Sequence, residues 1–223
     1  MTQDPIHHNL LTILSKFKQS DDERKSRRHF LEKTFQLLNF NKINGDFAEF
    51  GCPDATVQLD AWHALKRQPF QRRLWAIRDL EPLTLPTDSL DLHPRWPAAQ
   101  RTWKNPLANS KLAWSRLPAK ASQSVWHGTN RPLNATSLPT QISLTWINAQ
   151  PHSSIRKILS TLDQHWKNGS ILVFEHYYAY SRFERSGARN ALLELQKNRP
   201  DLLFLPMEKF GMQSQSFLIE DAP

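Results

Sequence analysis

The sequence predicts an α/β protein: a doubly wound, mostly parallel β-sheet with helices on both faces, an antiparallel hairpin at the C-terminal edge, and an N-terminal helical extension. Two observations predict it. Short apolar runs alternate with segments whose apolar residues recur every three or four positions, which is typical of strands separated by helices. The last two apolar runs, 201–206 and 214–220, are too close together for a helical crossover, so we expect an antiparallel pair.

Residues 1–44 form the predicted helical extension, and residues 45–223 form the predicted sheet domain. Apolar residues at helical spacing within 10–17 predict a first short helix. A charged link, 19–28, leads to a second helix whose apolar face is Phe30, Leu31, Phe35, Leu37 and Leu38. Turn residues in 39–45 end this helix.

The first half of the domain contains two predicted strands and one helix. A strand at 46–50 meets Gly51, and a second strand follows at 73–77. The helix between them has a single apolar face, formed by Val57, Ala61, Ala64 and Leu65. From residue 81 to residue 139, eight prolines break any long helix, and one strand is predicted there at 122–128.

Regular periodicity returns at 142–148, which predicts a buried strand. We expect Ser153 or Ser154 to cap the next helix, whose inner face is Ile155, Ile158, Leu159, Leu162 and Trp166. Asn168 and Gly169 predict a left-handed turn after it. A strand at 170–174 and a helix at 182–198 complete the pattern before the hairpin.

The composition favours a soluble cytoplasmic protein. No apolar run approaches the roughly 20 residues that a membrane span needs, and the mean hydropathy is −0.59. The N-terminus has an acid before its apolar part, so it does not predict a signal peptide. The single cysteine, Cys52, cannot form an internal disulfide, which fits a reducing compartment.

The net charge of +8 is unevenly distributed, because residues 92–162 contain no Asp or Glu but many Arg, Lys and Trp residues. Cations interleaved with aromatic rings can bind single-stranded nucleic acid. A solvated basic face with tryptophans packed beneath it explains the same composition. We therefore keep nucleic-acid binding as the less favoured of the two interpretations.

Two segments carry a resemblance to a known family. The strand ending in Glu-Phe-Gly at 49–51, and the block 141–180 with its polar strand ends at 146–150 and 174–177, are similar to class I S-adenosylmethionine-dependent methyltransferases. The resemblance is closest to the macrocin O-methyltransferase family, which methylates sugar hydroxyls on natural products. It implies a Rossmann-like fold, S-adenosylmethionine as cofactor, and a small hydroxylated, sugar-containing acceptor as partner.

The resemblance also implies a site. In an open α/β sheet, ligands bind outside the carboxyl ends of the strands. The implied catalytic residues are His176, Glu175 and His152, with a histidine as the base that takes the hydroxyl proton. The implied cofactor-binding residues are Glu49, Gly51, Asp79, Glu81 and Asn148. The histidines have an ordinary alternative as hydrogen-bonded residues at the rim of the sheet, and Glu49 has one as a strand-end carboxylate that caps the next helix.

The family holds a divalent metal with acids at two strand ends, and the corresponding residues here are Asn148, Glu175 and His176. Magnesium prefers anionic oxygen ligands. Replacing carboxylates by the amides of Asn148 and Gln150 should therefore weaken magnesium binding severely. The glycine-rich turn is also reduced to Gly51, and Arg78 stands where an acid is expected.

These departures support an alternative in which a catalytically inactive, methyltransferase-like protein serves as a binding or partner subunit. The sequence leaves open whether the N-terminal helices cover the site or build a homodimer.

Overall fold

The computed structural model describes residues 5–52, 55–69, 72–79, 117, 122–127, 133–149, 151–162, 164–179 and 187–223, and of residues 5–20, 79 and 122–127 it describes the backbone. The helices are α1 (Pro5–Phe40), α2 (Thr56–Leu65), α3 (His152–Leu162) and α4 (Ala188–Asn198). The strands are β1 (Asp46–Phe50), β2 (Leu74–Asp79), β3 (Ser122–His127), β4 (Ile142–Ile147), β5 (Ile171–Phe174), β6 (Leu202–Phe210) and β7 (Ser214–Asp221).

The strands form one seven-stranded sheet in the order β3-β2-β1-β4-β5-β7-β6. The five strands β1 to β5 pair in parallel, and β7 pairs antiparallel with both β5 and β6. The predicted doubly wound, mostly parallel sheet with an antiparallel C-terminal hairpin is therefore confirmed. The strand order reverses between β1 and β4, so the carboxyl ends of these two strands flank the switch point of the sheet.

Both faces of the sheet are buried, each in its own core. One core lies between the sheet and helices α1 and α2, and its largest members are Trp146, Phe30, Phe35 and Phe47. The other lies between the sheet and helices α3 and α4, and includes Leu172, Phe174, Phe217 and Trp166. Alternate residues of β5 point into opposite cores, as the pleat requires: Val173 into the first and Leu172 into the second.

The N-terminal region differs from the prediction. The two helices joined by a charged link are one continuous helix, α1, and the link 19–28 belongs to it. Arg, Lys, Gln and Glu are good helix formers and make up most of this link, so the charged run does not by itself interrupt a helix. The division into an extension at 1–44 and a domain at 45–223 stays a prediction, although α1 supplies Phe30 and Phe35 to the core beneath the sheet.

Two other boundaries also shift. Helix α3 begins at His152, so Ser153 and Ser154 lie inside its first turn rather than before it. Helix α4 begins at Ala188, and the earlier part of the helix predicted at 182–198 lies outside the described residues. Within the described residues, no helix combines the length and the apolar character that a bilayer span requires.

Candidate functional site

The turn after β1 contacts the end of β4 directly at the switch point. Gly51 has φ +72°, and a Cβ placed on it would lie 2.7 Å from the backbone nitrogen of Ala149. A residue with a side chain would be strained by this dihedral angle, and its Cβ would collide with the backbone of Ala149. Gly51 is therefore the residue that lets the β1–α2 turn approach the end of β4.

His176 and Asn148 meet at the carboxyl ends of β5 and β4. The His176 Nε2 atom lies 3.1 Å from the Asn148 side-chain oxygen. Strands β4 and β5 are adjacent, and the backbone nitrogen of Glu175 still donates to the Ile147 carbonyl oxygen at 3.0 Å. The sequence-predicted neighbours thus lie side by side at one edge of the sheet.

A third side chain, Gln213, completes the surroundings of the His176 ring. Its side-chain oxygen lies 3.3 Å from His176 Nδ1. Gln213 belongs to the turn between β6 and β7, so the C-terminal hairpin contributes to the site. The ring is thus held between two amide groups, one on each nitrogen. Sequence reasoning missed Gln213, because a glutamine in a hairpin turn 37 residues away carries no local signal.

Glu175 binds different partners from His176. Its two carboxylate oxygens bind Trp146 Nε1 at 2.8 Å and an Arg27 guanidinium nitrogen at 3.3 Å. Trp146 and Arg27 lie on the α1 face of the sheet, where Trp146 is fully buried. The structure therefore brings Asn148 and His176 together, whereas the Glu175 carboxylate is bound between β4 and α1.

Arg27 also binds Asp60, the acid of helix α2. Two Arg27 nitrogens lie 3.1 and 3.0 Å from Asp60 Oδ2, and Arg24 and Arg28 approach the other oxygen. Asp60 is 0% exposed. Burial disfavours the charged guanidinium, but Glu175 and Asp60, with Glu49 also contributing, raise the pKa of Arg27 above its usual value.

Glu49 lies at the end of β1 beside this network. It is fully buried, and one carboxylate oxygen accepts a hydrogen bond from Gln58 Nε2 at 3.0 Å. The same amide nitrogen donates to the Trp75 carbonyl oxygen at 3.2 Å. The Glu49 carboxylate is therefore part of the interior between β1 and α2.

His152 is bound to helix α4. Its Nε2 lies 3.1 Å from a Glu194 carboxylate oxygen and 3.2 Å from the Asn190 amide nitrogen, and the residue is 3% exposed. It links α3 to α4, whereas the His176 ring contacts Asn148 and Gln213. The structure thus places these two candidate bases in separate hydrogen-bonded groups.

The tyrosines after β5 divide between packing and hydrogen bonding. The Tyr177 ring packs on Phe174 and Phe217, with centroids 5.8 and 5.1 Å away. The Tyr178 hydroxyl donates to the Gln215 side-chain oxygen at 3.0 Å, and the residue is 41% exposed. Tyr177 therefore stabilises the α4 face of the sheet.

Other predicted site residues lie beyond these contacts. Glu81, Gln150 and Tyr180 are outside the described residues, as is most of the acid-free stretch. Asp79 is the last residue of β2, which places its backbone at the carboxyl edge of the sheet. Their roles stay predictions.

Helix α1 binds two segments that lie next to His176: the preceding residue, Glu175, and the turn between β6 and β7. Arg27 binds Glu175. Ser26 and Glu23 accept hydrogen bonds from the backbone nitrogens of Gly211 and Met212 at 2.9 and 2.8 Å, next to Gln213. Sequence reasoning missed this arrangement. A signal for it exists, since Asp60 lies among the apolar inner positions of α2, where an acid needs a buried cation.

The three predicted metal ligands do not fit a divalent cation in this arrangement. The Glu175 carboxylate is bound to a cationic guanidinium, and the Asn148 oxygen contacts the His176 ring nitrogen. No group of three or more His, Cys, Asp or Glu side chains suited to a metal is found among the residues that the structure describes. The left-handed turn at Gly51 and the polar strand ends do fit a nucleoside cofactor at the switch point.

Solved methyltransferase structures share this fold. The O-methyltransferase NovP superposes with a TM-score of 0.64 at 13% identity, over 86% of this chain and 79% of NovP. CalS11, a TDP-rhamnose 3′-O-methyltransferase of calicheamicin biosynthesis, gives 0.52 at 15%, over 98% and 86%. The Podospora anserina methyltransferase PaMTH1, bound to S-adenosylhomocysteine, gives 0.51 at 11%, over all of both chains.

No family model and no curated protein matches the sequence. At these identities the likeness concerns the fold. The chain has the Rossmann-like fold of the class I S-adenosylmethionine-dependent methyltransferases, as the residue patterns at 49–51 and 141–180 predicted.

Proposed function

We propose that this protein transfers a methyl group from S-adenosylmethionine to a hydroxyl of a small acceptor. One observation carries the proposal: His176 and Asn148 are in contact at the carboxyl ends of adjacent strands, beside the switch point of a methyltransferase fold. Ligands of open α/β sheets bind at this place. NovP is an O-methyltransferase and CalS11 is a TDP-rhamnose 3′-O-methyltransferase, which supports a sugar-containing acceptor for this protein.

S-adenosylmethionine, when bound, supplies an electrophilic methyl group on a sulfonium. We assign its contacts to the Gly51 turn and Asn148, with Asp79 and Glu81 near the ribose. Glu49 supports this turn from within, because its carboxylate is buried against Gln58. When bound, S-adenosylmethionine would supply the methyl group to the acceptor oxygen and would keep the electron pair of the broken carbon–sulfur bond, so the acceptor's hydroxyl proton would have to pass to a base of this chain.

His176 is the base in this proposal. A neutral imidazole carries one N–H and one unprotonated nitrogen. The shorter contact, to the Asn148 oxygen, assigns the proton to Nε2, which leaves the lone pair on Nδ1. Gln213 faces Nδ1 at the longer distance of 3.3 Å, and it can donate to this lone pair once its side-chain amide is turned so that the nitrogen, rather than the oxygen, faces the ring. We infer that the acceptor hydroxyl takes the place of Gln213 and delivers its proton to Nδ1.

Isothermal titration calorimetry with S-adenosylmethionine and S-adenosylhomocysteine tests cofactor binding, with adenosine as the comparison ligand. We expect saturable heat for both cofactor forms. Methyl transfer is then measured with labelled S-adenosylmethionine and a panel of nucleoside-diphosphate sugars and free glycosides. His176→Ala should keep the binding heat and lose the product, whereas the matched control His63→Ala, at an exposed site on α2, should keep both.

The specific alternative is an inactive, methyltransferase-like binding or partner subunit. Two acids that follow or end strands, Glu49 and Glu175, are bound to the protein's own side chains, which favours this alternative. It predicts no heat with either cofactor form at about 1 mM, a concentration that detects even weak ligands. Saturable heat that Asn148→Leu removes would exclude it.

A further inference from the structure

We propose that the Arg27 guanidinium replaces a divalent metal in this site. It occupies the position beside Glu175 that a metal would need, and it holds the end of β5 in place without metal. The inference deepens the proposed function, since it concerns the same strand end. It begins with the Glu175 carboxylate, which is the only anionic member of the predicted metal set Asn148, Glu175 and His176.

Each oxygen of the Glu175 carboxylate already binds a partner outside the predicted metal set. One oxygen accepts the Trp146 N–H at 2.8 Å, and the other lies 3.3 Å from an Arg27 nitrogen. The Glu175 side chain is 19% exposed and that of Arg27 is 13% exposed. In such a shielded position a guanidinium competes with a hydrated metal ion, because either charge balances the carboxylate.

Arg27 is itself fixed in place. Its Nε and one terminal nitrogen bind Asp60 Oδ2 at 3.1 and 3.0 Å, while its other terminal nitrogen reaches Glu175. The planar guanidinium therefore joins α1, α2 and the β5 end with three directed hydrogen bonds. A point charge such as an ammonium cannot reproduce this fork.

The charges in this region balance. Arg24, Arg27 and Arg28 provide three cations, and Asp60, Glu175 and Glu49 provide three carboxylates. A divalent ion added at Glu175 would place further positive charge beside Arg27, and these two side chains are only 19% and 13% exposed. This balance is the physical reason to expect that the folded protein excludes a metal from Glu175.

The position matters because His176 follows Glu175 directly. Helix α1 also binds the backbone of Gly211 and Met212, beside the Gln213 that contacts the His176 ring. Arg27 is thus a positioning residue that acts on His176 through Glu175. Arg27 thus fixes the strand end beside His176, a role that a metal bound to strand-end carboxylates would otherwise have.

Manganese(II) and the histidine ring signals in NMR test the proposal without any acceptor or cofactor. Bound manganese broadens nearby signals, so its location is read directly. In the unaltered protein, substoichiometric manganese should leave the His176 signals intact. In Arg27→Gln, Glu175 loses its cationic partner, and we expect selective loss of the His176 signals.

Two variants serve as controls. Arg24→Gln removes a cation that contacts Asp60 but not Glu175, and it should behave like the unaltered protein. Arg27→Lys keeps the charge without the fork, and it should restore resistance to manganese. Circular dichroism verifies that each variant is folded.

Selective broadening of His176 in the unaltered protein, abolished by Glu175→Gln, would overturn the proposal, and this comparison does not depend on any Arg27 variant folding. Intact His176 signals in folded Arg27→Gln would overturn it as well, because the guanidinium would then not be what keeps the cation away. Both outcomes are independent of cofactor binding, so failure here is distinct from failure of the proposed methyl transfer.

Discussion

Both faces of the sheet are buried, but by different chemistry. The face under α3 and α4 is filled by apolar side chains such as Leu172, Phe174 and Ile158. The face under α1 and α2 also has an apolar core, but beside it lie Asp60 and Glu49, both 0% exposed, and Arg27 binds both Asp60 and Glu175. The α3–α4 face is specified mainly by volume, apart from the contact of His152 with Glu194, whereas the α1–α2 face is also specified by the pairing of Asp60 with three arginines.

This difference determines which helices control the geometry of the site. An apolar core tolerates changes that keep its volume, because dispersion contacts are not directional. A buried ion pair fixes distances and angles, and loss of one partner leaves a charge that water cannot reach. The ionic face is also the face that contacts Glu175, so we expect the geometry beside His176 to depend on α1 and α2.

The largest expected effect comes from neutralising Asp60 at constant volume. Asp60→Asn keeps the size of the side chain but leaves Arg27 and two neighbouring arginines without their shared carboxylate. Loss of one partner of a buried ionic group costs about 3–5 kcal/mol of unfolding free energy. Urea unfolding followed by circular dichroism measures it.

The matched control is Glu32→Gln. Glu32 and Arg67 form a 2.6 Å ion pair between α1 and the turn after α2, but their side chains are 37% and 66% exposed. An exposed pair contributes at most about 1 kcal/mol. Equal losses in the two variants would show that burial does not distinguish the pairs, and the comparison between the faces would fail.

A smaller effect is expected on the apolar face for a change that also keeps volume. Leu172 is 0% exposed in the middle of β5. Leu172→Met should cost less than about 1.5 kcal/mol, since such swaps repack with little strain. Leu172→Ala, which leaves a cavity, should cost about 2–5 kcal/mol in the same urea experiment. If Leu172→Met were as unstable as Leu172→Ala, the claim that side-chain volume specifies this core would be wrong.

Local patterns were sufficient to predict the sheet. Apolar runs such as those in β4 and β5 have the length of buried strands, and the short spacing between β6 and β7 requires an antiparallel pair. The contact of His176 with Asn148 followed from the same patterns, because parallel neighbours place their carboxyl ends at one edge.

The partners of these strand ends could not be predicted locally. Arg27 and Glu175 are separated by 148 positions, and Gln213 lies 37 positions from His176. The charged run 19–28 has the composition of a solvated segment, and only tertiary packing shows that it faces a buried Asp60. Pairing between distant charges leaves no periodic trace, so the sequence predicted the N-terminal helices as an extension and left open whether they cover the site or build a homodimer.

The smallest expected effect concerns the free energy of unfolding when the Tyr177 phenol, on the apolar face, ionises at high pH. Burial raises the pKa of the Tyr177 phenol, with Tyr178 adding to the rise and Arg189 opposing it. The unfolded phenol ionises near its usual pKa of about 10, while the folded one still holds its proton. The unfolded state therefore binds fewer protons, and stability falls as the pH rises from about 10 through the folded pKa.

Tyr177→Phe removes this contribution, so its urea midpoint should decline less between pH 9 and 11, roughly one unit either side of the phenol's usual pKa. The control Tyr178→Phe alters a residue that is 41% exposed, and it should retain most of the decline. Absorbance of tyrosinate in the folded protein provides a second reading, because the chain contains three tyrosines and Tyr177 should ionise above the usual range. A Tyr177→Phe protein that loses stability as steeply as the unaltered one would mean that the phenolate is accommodated, and that the α4 face excludes charge no more strongly than the face that holds Arg27.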